Sequence, residues 1–195
     1  MENREACKQF FLKRMSKIRE EVREQLAERA VDNLTRYYSL LRSTGEPGME
    51  DLIAAIHSST FSTSNSVHHH HYPSGTMEHC LGVYKLMSEE AALLREQGNE
   101  IKESDVILVA LLHDVCMGKC NEWSKYPRHG LRSRSIVERY LPGLSPDVLE
   151  AIEKHMHKPD NQNLLWSLVN NNDRKDGYTC NRGEAKLSDT EKCLL

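Results

Sequence analysis

Five ionisable side chains in this sequence occupy positions where a helical chain would bury only hydrocarbon. His79 shares an apolar stripe with Val83, Leu86 and Met87. His113 and Asp114 close the most apolar stretch of the chain, Val106 to Leu112, whose unbroken hydrocarbon implies burial on every side. His155 follows Val148 and Ile152 at helical intervals, and Asp173 shares a face with Leu165 and Val169. A buried charge is expensive without a partner, and buried polar groups in folded proteins nearly always have one. The segments carrying these residues must therefore fold so that the ionisable groups meet each other or a shared cation. No other feature narrows the possible folds as much.

The pattern around them is helical throughout. From Phe11 an apolar stripe runs through Met15, Ile18, Val22, Leu26, Ala30, Leu34, Tyr38 and Leu41, with Lys, Arg and Glu covering the other face. It predicts one long helix, or two in succession, ending before Gly45-Glu46-Pro47-Gly48. Because the stripe drifts out of strict heptad spacing, it reads as an arm packed on its own domain, with a homodimer through the arm as the alternative. A short helix over about Met49 to His57 leads into the hydroxyl-rich run Ser58 to Ser66, which favours turns. Four histidines, His68 to His71, then precede Tyr72-Pro73-Ser74-Gly75.

Four or five more helices are expected. The first covers about Thr76 to Gln97. The second covers Asp105 to Val115 with Ser104 as its cap, and the third Leu131 to Tyr140. Ser145-Pro146-Asp147 opens the fourth with a capping hydroxyl, a first-turn proline and an acid at the positive end of the dipole. The fifth covers about Asn163 to Arg174 and ends near Gly177. Strand-like alternation is absent, so the expected fold class is all-α: a helical bundle with an N-terminal helical arm. The expected divisions are an amphipathic arm (1–44), a metal-binding domain (45–178) and a polar tail (179–195).

Composition narrows the setting. A length of 195 residues suits one domain, and a net charge of −3 argues against a dedicated nucleic-acid binder. The opening Met-Glu-Asn-Arg has no apolar run behind it, so no export signal is expected, and Val106 to Leu112 is too short to span a bilayer. Cysteines at 7, 80, 116, 120, 180 and 193 lack a framework spacing and read as reduced thiols in the cytoplasm. Cys116 and Cys120 with His113 have no fourth partner nearby for a closed tetrahedral zinc site.

Histidine nitrogens with carboxylates suit borderline or harder divalent cations: Mn, Fe, Ni, Co, Zn or Mg. The pKa of water on such an ion falls from 15.7 to about 7 in favourable sites. Metal-bound hydroxide can then attack phosphorus while the ion offsets charge on the phosphoryl oxygens. Asp114, beside His113, is placed to bridge two ions.

The ordered set His79 (in Met77-Glu78-His79-Cys80), His113-Asp114 (in Leu111-Leu112-His113-Asp114-Val115) and Asp173 (in Asn171-Asn172-Asp173) resembles the HD-domain metal-dependent phosphohydrolases. The resemblance covers about Met49 to Gly177. The lead-in from Phe61 through Tyr72-Pro73-Ser74-Gly75 to His79 looks like a subgroup that includes bacterial 3′-to-5′ exoribonucleases. The resemblance implies hydrolysis of a phosphomonoester or phosphodiester, in a phosphorylated small molecule or short nucleic acid, with no membrane partner. It implies one metal ion held by His79, His113, Asp114 and Asp173, and a second held by Asp114, His129 and His155.

Asp114, His113 and Lys119 are the implied catalytic residues. Many relatives carry lysine three residues after the doublet's aspartate; here that residue is Met117, and Gly118 would let Lys119 serve instead. The basic residues Lys119, Lys125, Arg128, Arg132 and Arg134 read as a phosphate-binding rim, with Arg128 and Arg132 as its substrate contacts. His71, nearest in the histidine run to the helix of His79, is a third. Two alternatives share the scaffold: a nucleotide-sensing module without turnover, and a di-iron oxygenase.

Overall fold

The periodicity is realised in a computed structural model that describes residues 3–63, 70, 72–118, 129–159 and 162–180. Among the described residues there are eight α-helices and no strand, so the protein is all-α. They are α1 (Arg4–Arg14), α2 (Glu20–Ser43), α3 (Met49–Ser58), α4 (Gly75–Glu96), α5 (Glu103–Leu112), α6 (His129–Tyr140), α7 (Pro146–Lys154) and α8 (Leu164–Cys180). None is long and apolar enough to cross a membrane.

The long N-terminal stripe becomes two helices in succession. Asn3 caps α1, its Oδ1 accepting from the N–H groups of Glu5 and Ala6, and the helix ends at Met15. α1 then lies antiparallel on α2, as the ion pairs of Arg4 with Glu28 and Asp32 and of Lys8 with Glu24 and Glu28 require. Between them Phe11, Met15 and Ile18 pack with Leu26, Ala27, Ala30, Val31 and Tyr72 in a small core. The second half of α2 belongs to the main core through Leu34, Tyr37, Tyr38 and Leu41. Tyr37 donates its hydroxyl to the carbonyl of Leu111, and Arg29 and Asn33 bind Glu78. These contacts anchor α2 beside the two segments that carry His113 and His79.

α5 is the centre of the bundle. Every residue from Val106 to Leu112 is buried, with α4, α7, α2 and α8 packed around it. The helix stops at Leu112, earlier than the expected Val115, and the chain tightens into a 3₁₀ turn over Val115–Met117. It begins at Glu103 with Lys102 at the cap, and Ser104 lies inside the first turn with its hydroxyl 3.5 Å from Asp105, so Ser104 is not the cap. The other cap expectation is realised: Ser145 Oγ accepts from Val148 N–H at 3.4 Å, with Pro146 in the first turn of α7.

α8 continues through Gly177 to Cys180. A lone glycine disfavours a helix by about 1 kcal/mol relative to alanine, which packing on α4 and α7 overrides. Gly48, at φ 90°, turns the chain into α3 so close to α6 that a Cβ there would lie 2.1 Å from the Tyr140 carbonyl oxygen. Of the hydroxyl-rich run, Ser59 Oγ donates to the Ile56 carbonyl and accepts from Phe61 N–H, opening a 3₁₀ turn at Phe61–Thr63. Residues 64–69 and the tail from 181 onward lie outside the described residues.

Phe11 is 1% exposed at the junction of α1 and α2. Phe11→Ala is expected to lower the unfolding free energy by about 3–5 kcal/mol, because large-to-small core changes leave a cavity. Chemical denaturation checks this; a loss under about 1 kcal/mol would mean that α1 does not unfold with the rest.

Candidate metal centre

Two histidines reach the centre by the same device. His113 and His155 are the C-terminal caps of α5 and α7, where helix carbonyls lack intrahelical partners. Each ring turns back on the carbonyl three residues earlier: His113 Nδ1–H donates to Ala110 at 2.9 Å, and His155 Nδ1–H to Ile152 at 2.7 Å. A ring nitrogen bound to a carbonyl must carry the proton, so in both neutral rings Nε2 keeps its lone pair. Both side chains are fully buried, and neither Nε2 has a hydrogen-bond partner among the described residues. The rings are 5.0 Å apart, and their Nε2 atoms lie 3.8 and 3.5 Å from oxygens of Asp114.

Asp114 occupies the turn after α5, where the chain leaves helical geometry and can aim its carboxylate between neighbouring helices. His129, the first residue of α6, meets its Oδ1 through Nε2 at 2.6 Å. The other nitrogen of His129 is 3.5 Å from Cys116 Sγ. Gly130 allows this approach, since a Cβ there would lie 1.9 Å from the Glu153 carbonyl oxygen of α7. The close packing of α6 on α7 brings the rings of His129 and His155 to 5.1 Å.

The remaining members come from α4 and α8. His79 is 1% exposed, its ring 5.4 Å from that of His113. Its Nε2 lies 3.1 Å from Asp173 Oδ1, and its Nδ1 lies 2.7 Å from Asp176 Oδ2. Three groups of side chains thus bring ligand atoms within 4.8 Å of one another: His79, His113 and Asp114; Asp114, His129 and His155; and His70, His79 and Asp176. Asp114 belongs to two of them.

Electrostatics follow from the packing. Burial holds His113 down at about 4, so it is neutral at neutral pH and ready to ligate. Burial also opposes charge on His79, but the close approach of Asp173 and the hydrogen bond to Asp176 outweigh it and raise the ring to about 10. His129 is raised to about 10 by its bonds to Asp114 and Cys116. Burial penalises ionised Asp114, yet its hydrogen bond with His129 holds it well below the ordinary carboxylate range. Asp173 is likewise lowered, burial being outweighed by the adjacent His79. Protonated rings thus stand in for a cation among converging carboxylates; a metal ion would replace those protons.

Six of the residues singled out in the sequence therefore converge: His79, His113, Asp114, His129, His155 and Asp173. Arg132 stands half-buried on α6, one turn beyond His129. Arg134 does not serve a phosphate rim in this structure, because it pairs with Glu153 at 2.6 Å and Glu138 at 3.7 Å. Met117, in the usual lysine position, packs against the main core. Lys119, Lys125, Arg128 and His71 lie outside the described residues. Sequence reasoning missed two members. Asp176 lies seven residues after Val169, on the face already read as inward, which was signal enough. His70 was hidden in a run of four identical residues; it is 6% exposed, with Nε2 3.7 Å from Asp176 Oδ2.

An all-helical chain with histidines and aspartates converging from the ends of its central helices defines a class, and the family comparison agrees. Residues 76–193 match the HD domain, and the chain belongs to that family. The matched range contains all six converging residues and leaves out α1 to α3 and His70. Neither the curated proteins nor the solved structures contain a match to the chain.

Gly130→Ala is expected to force α6 away from α7, since the added methyl would meet a backbone carbonyl rather than a pliable side chain. Overpacking of this kind destabilises by about 1–3 kcal/mol. Denaturant unfolding of the metal-free chain should register it, and an unchanged midpoint would contradict the close packing of these helices.

Proposed function

We propose that the protein is a metal-dependent hydrolase of phosphate esters. One observation supports this above the rest: buried His113 and His155 each hold a bare Nε2 lone pair near a carboxylate oxygen of Asp114. Orphaned buried nitrogens are a costly arrangement with nothing to bind, and a divalent cation in each of the two groups that share Asp114 would satisfy them. The donor set of imidazoles and carboxylates fits Mn, Fe, Ni, Co, Zn or Mg. When bound, such an ion acidifies a water ligand and neutralises charge on a phosphoryl group.

In this reading His79, His113, Asp114 and Asp173 hold the first ion, and Asp114, His129 and His155 hold a second. Asp114 orients both, because among the described residues it alone belongs to both groups. His129, 39% exposed at the side chain, gives the second group its solvent-facing side. A phosphate enters there, toward Arg132, with Lys119, Arg128 and His71 as further contacts. The basic sequence around α6 favours a nucleotide or short nucleic acid, as in the exoribonuclease-like subgroup. Met117 in place of lysine favours a second reading, a nucleotide sensor that binds without turnover.

The test combines metal analysis of the purified chain with a panel of nucleotides and short oligonucleotides under added Mn, Ni, Co, Zn and Mg. Asp114→Asn should strip the metal and reduce hydrolysis more than about 100-fold while leaving the helical spectrum intact. His155→Ala touches only the second group, so the bound metal should halve if two ions are present. Wild-type metal content and turnover in Asp114→Asn would refute the hydrolase reading. Nucleotide binding without turnover by the wild type would establish the sensor instead.

A further inference from the structure

The histidines of the centre are not held alike. His113 and His155 lie at helix ends and fix their Nδ1–H on free backbone carbonyls. His79 lies inside α4, where the nearby carbonyls are already engaged by the helix itself. Its ring needs a partner from another element, and α8 supplies one: Asp176 Oδ2 lies 2.7 Å from His79 Nδ1. One turn earlier on the same helix, Asp173 Oδ1 lies 3.1 Å from Nε2. One helix therefore addresses both nitrogens of one ring.

The notch that admits Asp176 is equally specific. Gly82 lies one turn after His79 on α4, and a Cβ at that position would be 1.9 Å from Asp176 Oδ1 and 2.7 Å from its Cγ. Any larger residue at position 82 would displace the carboxylate. The His70 ring packs 5.6 Å from that of His79, with its Nε2 3.7 Å from the same Asp176 Oδ2. Gly75 lets the His70 backbone approach, since a Cβ there would lie 1.9 Å from the His70 carbonyl oxygen.

We propose that Asp176 is a positioning residue: through the notch at Gly82 it fixes the ring orientation and tautomer of His79, keeping Nε2 available to the metal. This rests on the metal reading of the pocket. A carboxylate on the outer nitrogen of a ligating histidine fixes the tautomer and strengthens the donor, and losing such a partner lowers metal affinity about 10–100-fold.

The test titrates cobalt(II) into the full chain and follows visible absorption, which needs no substrate. Asp176→Asn and Gly82→Ala should each weaken the first equivalent by about 10–100-fold. Gly82→Ala removes no ligand and no charge, and alanine is the better helix former, so it serves even if Asp176→Asn does not fold. Both variants act through one contact, so the double variant should bind no more weakly than Asp176→Asn alone. In zinc-loaded protein the His79 Nδ1–H resonance, downfield in the wild type, should move upfield in both variants. Unchanged cobalt affinity in either variant, or losses that multiply in the double, would overturn the proposal and leave the metal reading standing. A wild-type chain that takes up no cobalt would overturn both.

Discussion

The whole arrangement depends on one buried carboxylate. Asp114 is ionised in the turn that ends the most apolar helix of the chain, and such a charge is tolerable only among compensating groups. His129 provides that compensation from α6, and His113 and His155 close in on the carboxylate from the ends of α5 and α7. The packing of those helices is therefore partly dictated by Asp114. Gly130 makes the α6–α7 contact close enough, and Tyr37 ties the arm to the carbonyl of Leu111, two residues before His113.

Helix ends do much of the positioning. A C-terminal cap offers unpaired carbonyls, and His113 and His155 use them to choose their tautomers without any other side chain. The same economy is closed to His79 inside α4, and a carboxylate from α8 takes the carbonyl's place. Neutral and charged partners thus coexist in one centre. The choice between them follows from where each histidine lies along its helix.

These differences also explain what the sequence disclosed. His79, His113, His155 and Asp173 could be placed inward because each shares a helical stripe with hydrocarbon. Asp176 shares that stripe too, but the resemblance to the family pattern ends at Asp173. His70 could not be chosen from its run by periodicity, since four identical neighbours carry no phase. Ser104 has the chemistry of a cap but not the position, because capping depends on backbone angles that a sequence does not show. Gly177 failed to stop α8 because the contacts of α8 with α4 and α7 outweigh a local propensity. The early end of α5 has no local sequence signal; it leaves Asp114 in the turn, outside the helix.

The central claim is that imidazoles and carboxylates of this pocket bind a divalent ion, with Cys116 kept outside the ligand set behind His129. X-ray absorption at the zinc edge of the reconstituted full chain addresses it directly. The account predicts a shell of nitrogen and oxygen alone at about 2.0–2.2 Å, with multiple scattering from several imidazoles. A sulfur contribution at about 2.3 Å, or a chain that retains no zinc, would contradict it.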